Sequence, residues 1–218
     1  MEYSKILIVG NAPLHKLPEE EYDLIFYFPN ISRLISTKSC KNVIAVIQDF
    51  IIDSSQWKCS KWGDIRKNKF YEYKKYFHPS YKTIIMNSGI SRNYLKENDD
   101  LNIINYISHK MAVCYLLKHV DFYFLYKSVG LKGLMNYALL LTNFKKNVIG
   151  RYRPSSGFLI LLYALEKFPN YSVDLIGFSK PGEKYFVNES CILNYSPHVL
   201  IDSLIFNQKF NEKIKLIL

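Results

Sequence analysis

The sequence predicts an α/β fold, a mainly parallel sheet flanked by helices, and three observations carry that expectation. Lys5-Ile6-Leu7-Ile8-Val9 is a continuous apolar run of the kind found in strands buried on both faces. Phe158, Leu161, Leu162 and Leu165 recur at i, i+3, i+4 and i+7, the spacing of one helix face. Runs of the two kinds are interspersed along the chain, which implies a sheet with helical layers. At 218 residues and 49% hydrophobic, the chain can bury one sizeable core, and residues 1–218 read as one domain.

In chain order, strands are expected at 5–9, a continuous apolar run, at 23–28, 43–48 and 82–86, and at 173–178, a β-rich run closed by a small residue. Helices are expected at 102–118, 130–141, 155–167 and 198–213. Residues 102–145, rich in Leu, Tyr and Phe, suit a helical lid, an acceptor-side subdomain or a packed core element. Ligands of parallel α/β sheets gather at the carboxyl ends of the strands. Gly10-Asn11 and the Ser155-Ser156-Gly157 turn are expected on that rim.

Arg153-Pro154-Ser155-Ser156-Gly157-Phe158 reads as a phosphate seat at a helix start. Pro154 biases Arg153 towards an extended conformation, Ser155 or Ser156 can cap the helix, and Gly157 lets a ligand approach the backbone. The positive dipole end then meets two hydroxyls, with Arg151 and Arg153 just upstream. An ordinary capped helix accounts for the same residues without a ligand. At the amino terminus the first apolar run breaks at Gly10-Asn11-Ala12-Pro13. Gly10 can turn where a side chain would block a ligand, and Asn11 offers both a donor and an acceptor. No G-x-G-x-x-G follows that strand, so this is not the dinucleotide fingerprint.

Arg153 to Phe178 as a unit resembles the small sialyl motif of the sialyltransferases. There a Pro-Ser/Thr-Ser/Thr-Gly turn opens a helix and a strand ending in Tyr-Gly-Phe follows; here Ile176 stands in the Tyr position before Gly177-Phe178. Val9-Gly10-Asn11 is similar to the start of the large sialyl motif, which leads into nucleotide binding. That motif continues at Asp23 to Asn30, with Asn30 one residue later than usual and no Arg before it. Lys184-Tyr185-Phe186 takes the place of the third motif, with Lys184 in the position of its His. A Lys there supplies positive charge to a leaving phosphate without titrating near neutrality, or else faces solvent after the Pro181-Gly182 turn. His198, with Asp202 at i+4, resembles the very short sialyl motif, one position short of the common spacing. On a helix the two share a face, so the carboxylate can orient the imidazole.

What the resemblance implies is a Rossmann-like glycosyltransferase sheet of the GT-A-variant kind, in a small bacterial form. It implies inverting transfer of sialic acid from CMP-sialic acid to a glycan hydroxyl on lipooligosaccharide or capsule. His198 would be the base and Asp202 its partner. Gly10, Asn11, Asn30, Ser155, Ser156, Gly157, Lys184 and Tyr185 would hold the donor. CMP-Kdo or another CMP-nonulosonate fits the same architecture, and a non-catalytic nucleotide- or polyanion-binding protein is the alternative of another class.

No Asp-x-Asp occurs, and a CMP-sugar carries one phosphate, so neither metal nor other cofactor is expected. Cys40, Cys59, Cys114 and Cys191 show no C-x-x-C spacing, which argues against a zinc site and suggests a reducing compartment. Nothing reads as a signal peptide or as a span of about 20 apolar residues, so a cytoplasmic enzyme is expected. The formal net charge is +10, and Trp57 to Lys82 interleaves Lys and Arg with aromatics. That stretch suits peripheral contact with an anionic membrane surface, or nucleic acid, the less favoured partner.

Overall fold

A computed structural model of the chain describes residues 4–10, 14, 16–28, 35, 42–48, 71, 82–86, 102–144, 152–178, 185–188, 191–193 and 212–217. Five strands follow in turn: β1 (Lys5–Val9), β2 (Leu24–Tyr27), β3 (Val43–Gln48), β4 (Lys82–Met86) and β5 (Asn102–Ile107). Three helices come next: α1 (His109–His119), α2 (Phe122–Leu141) and α3 (Ser156–Lys167). Then come β6 (Ser172–Ile176), β7 (Tyr185–Asn188), β8 (Cys191–Leu193) and β9 (Ile214–Ile217). Seven strands form one sheet in the order β5-β4-β3-β2-β1-β6-β9, and every neighbouring pair is parallel. β7 and β8 pair with each other as an antiparallel hairpin. The architecture is α/β and Rossmann-like.

Side-chain alternation divides the sheet into two buried faces. Ile6, Ile8, Leu24, Phe26, Ile44, Val46, Ile84, Met86, Val173 and Leu175 share one cluster with the three helices. Ala112, Val113 and Leu116 of α1, and Leu125, Val129, Tyr137 and Leu140 of α2, belong to that same cluster. Phe158 to Leu165 of α3 are all buried, so α3 is the helix most fully enclosed. The opposite face gathers Leu7, Val9, Ile25, Tyr27, Val43, Ala45 and Ile47 around Tyr22 and Ile35. Asp174, buried in β6, accepts a 2.9 Å hydrogen bond from the Tyr22 hydroxyl. Burial, and then the Asp174 bond, push the Tyr22 hydroxyl well above its usual pKa.

The strands at 5–9, 43–48 and 82–86 have the expected bounds. The expected helix at 102–118 is corrected: residues 102–107 form β5, and α1 begins only at His109. Among the described residues β5 pairs with β4 alone, at the edge of the sheet, so it needs no continuous apolar run. The helix expected at 130–141 starts eight residues earlier, and Gly130 (φ 62°, ψ −176°) kinks it where the expectation began. The helix expected at 198–213 lies mostly outside the described residues; 212 and 213 form a turn leading into β9, which the sequence did not suggest.

α1 leaves the carboxyl end of β5 through one residue, Ser108, whose Oγ accepts from the Met111 N–H at 3.2 Å. α3 runs beside α1 and ends just before the amino end of β6. The two helices meet again at their carboxyl ends, where Glu166 accepts from Lys118 at 2.9 Å and lies 2.8 Å from His119 Nε2. Hydrogen bonds from Lys118 and His119 hold the Glu166 carboxyl below its usual value. No helix among the described residues is long and apolar enough to cross a membrane.

Candidate functional site

The strand order reverses direction between β1 and β6: β2 to β5 extend on one side, β9 on the other. In open parallel sheets such a reversal leaves a crevice beyond the carboxyl ends of the two strands. Gly10 directly follows β1, and its N–H donates to the Ile176 carbonyl at 2.7 Å. Gly177 directly follows β6 with φ +73°, a left-handed turn that favours glycine. A Cβ on Gly10 would stand 2.3 Å from the Gly177 carbonyl oxygen and 3.1 Å from Phe178 Cδ2. The absent side chain at Gly10 therefore makes room for the neighbouring chain.

The amino end of α3 closes over the same rim. Ser155 is its cap, in extended conformation, with Oγ accepting from the Phe158 N–H at 3.2 Å. Such a cap contributes about 1 kcal/mol. The Ser156 and Gly157 N–H groups precede the first carbonyl a helix could offer them, so they point out of its end. A Cβ on Gly157 would stand 2.4 Å from Phe178 Cε1. The Phe178 ring thus fits against both Gly10 and Gly157, and it fills the space first read as room for a ligand.

On the other side of the helix start the contacts are polar. Gln48, the last residue of β3, donates from Nε2 to Ser156 Oγ. Arg153 Nη1 lies 3.5 Å from Nε2 of His109, the buried first residue of α1. For the guanidinium to donate there, His109 must carry its proton on Nδ1. Arg153 is thereby directed towards the carboxyl end of β5. The helix end, the Ser156 hydroxyl, the Gln48 amide and the Arg153 guanidinium together form an arrangement suited to an anion with hydrogen-bonding substituents.

Of the residues singled out from the sequence, Gly10, Ser155, Ser156 and Gly157 are brought together at this rim. Tyr185 falls in β7. Asn11, Asn30, Lys184, His198, Asp202 and Arg151 lie outside the described residues. Gln48 and His109 were not assigned to the site from sequence. The available signals were a polar residue ending an apolar strand, and a histidine directly after a capping serine. Among the described residues, no three of His, Cys, Asp and Glu gather closely enough to hold a metal ion.

Fold and rim define an open parallel α/β protein with a helix start at the carboxyl rim of its strand-order reversal. Comparison with family models, with curated proteins and with solved structures finds no match.

Proposed function

We propose that this chain is an inverting, metal-independent glycosyltransferase that moves sialic acid from CMP-sialic acid to a glycan hydroxyl, with a sialyltransferase-like variant of the GT-A fold. One observation carries the reading: Gly10, the Ser155-Ser156-Gly157 turn and Gly177-Phe178, far apart in sequence, meet at one carboxyl rim. These are the segments that resemble the large and small sialyl motifs. The α3 start would stabilise the charge building on the departing CMP phosphate, with Ser156 donating and Arg153 adding a cation. His198 would take the acceptor proton, oriented by Asp202. Those two roles rest on the resemblance alone. The acceptor would belong to lipooligosaccharide or capsule, and the enzyme would work in the cytoplasm.

Thermal shift with CMP, UDP and GDP tests the donor class, and stabilisation by CMP alone is expected. Hydrolysis of CMP-sialic acid against CMP-Kdo then names the sugar, and the rate should persist in EDTA. His198→Ala should cut turnover about 10²- to 10⁴-fold while CMP still binds. Stabilisation by oligonucleotides and by no mononucleotide would replace the transferase with a polyanion binder.

A further inference from the structure

α2 carries apolar residues on every side, although only one side faces the core. Leu125, Val129, Tyr137 and Leu140 are buried in the core cluster, with α2 packed beside α1. The outer side of the first half-helix, up to the Gly130 kink, exposes Phe122 (64%), Tyr123 and Tyr126. The second half exposes Leu131 (67%) and Met135, and Phe144 beyond its end is 82% exposed. A helix that is apolar all round is normally covered on all sides. Exposed apolar clusters of this kind mark a surface for a partner or a membrane.

Charge decides between those occupants. From Phe122 to Leu165 the sequence holds no Asp or Glu, while Lys127, Lys132, Lys145, Lys146, Arg151 and Arg153 fall in the same stretch. Lys127 and Lys132 are exposed on α2 itself, and Lys127 Nζ sits 5.5 Å from the Tyr123 ring centroid. Asp121, the acidic residue immediately before this stretch in sequence, caps α2 by accepting from the Tyr123 and Phe124 N–H groups. A second copy of this surface would bring Lys127 and Lys132 against their own counterparts, with no carboxylate from within α2 between them. Aromatic and aliphatic side chains beside uncompensated lysines are instead the composition of helices lying in an anionic lipid interface.

We propose that the outer side of α2 docks on an anionic membrane surface, with Phe122, Tyr126, Leu131 and Met135 entering the headgroup region and Lys127 and Lys132 meeting lipid phosphates. Lys110, in the first turn of α1, donates to Asn143 Oδ1 at 3.2 Å. The carboxyl end of α2 and exposed Phe144 therefore lie beside the start of α1, at the rim where the candidate site opens. Docking would bring that rim towards the lipid. The inference concerns binding alone and stands apart from the transferase reading.

Co-sedimentation of the full chain with phosphatidylcholine vesicles, with and without phosphatidylglycerol, tests it. Binding is expected only with the anionic lipid, weakening as salt is added. Lys127→Gln and Lys132→Gln should each weaken it about fivefold, and Leu131→Ser with Met135→Ser should abolish most of the rest. These side chains are exposed, and an unchanged Tm would verify the fold of each variant. No binding to anionic vesicles would overturn the proposal, as would full binding by all of these variants, which would move the contact elsewhere. A concentration-dependent dimer that Leu131→Ser and Met135→Ser dissolve, without vesicle binding, would assign the surface to a second copy and overturn it too.

Discussion

At its amino end α3 sets Gly157 against the Phe178 ring, which also lies against Gly10 with no space for one more carbon, and Ser156 against Gln48, whereas at its carboxyl end Glu166 meets Lys118 and His119 near solvent. Both ends tie α3 to its surroundings, and Arg153–His109 at one end matches Glu166–His119 at the other as a link to α1. The difference lies in what each end can tolerate. Fitted contacts between backbone and ring have one solution, because overpacking forces the chain itself to move. Exposed ion pairs have many solutions and are screened by salt. A binding site needs fixed geometry, so the fitted end is the one to associate with ligand chemistry.

The largest effect should come from Gly10→Ala. Its new carbon would press on a backbone carbonyl, and the partner strand β6 would have to shift rather than a side chain. A loss of about 3 kcal/mol, or roughly 6–12 °C in Tm for a chain of this size, is expected. An unchanged Tm would show that the rim is looser than the comparison requires.

Gly157→Ala should come second, since the atom in its way is the far edge of the Phe178 ring. A ring can swing aside, and alanine also favours the helix by up to about 1 kcal/mol. The net loss is expected to be about 1 kcal/mol or less. Phe178→Ala removes the obstacle, so the double variant should be more stable than the sum of the single losses predicts. The coupling should reach about 0.5–3 kcal/mol. Strict additivity would mean that the ring does not rest on Gly157.

The fitted end was legible in the sequence only in part, for reasons that are physical. Pro154, Ser155 and the apolar spacing after them announce a capped helix, because capping and periodicity are local. β1 and β3 were equally plain, since strands covered on both faces need long apolar runs. β5 was not: Asn102 and Asn105 interrupt it, and Ile103, Ile104, Tyr106 and Ile107 satisfy helical spacing as well as they satisfy an edge strand. The partners of the helix start were illegible for a different reason. That Gln48 reaches Ser156, or that Phe178 fills the side of Gly157, depends on which strand ends lie together, and strand order is not written in any one segment. Gly157 therefore read as room for a ligand, when its nearest neighbour is another part of the chain.

The smallest effect belongs to the other end of α3, and it carries a definite dependence on pH. Lys118 and His119 lower the carboxyl of Glu166 from its usual value of 4.5, so the folded state holds that proton less tightly than the unfolded one. A depressed carboxyl stabilises the fold at pH values above its unfolded pKa, and the benefit fades as pH falls through the folded pKa. Glu166→Gln should therefore lower Tm slightly at neutral pH, and not at all in acid below the lowered pKa. Added salt should shrink the neutral-pH difference, because Lys118 is exposed. None of this should change nucleotide binding, since the cluster lies at the opposite end of the helix from the rim. Differential scanning calorimetry of both proteins across the acid range reads the effect directly. A deficit of constant size from neutral pH into acid would show that Glu166 acts through packing instead, and the contrast between the two ends of α3 would fail.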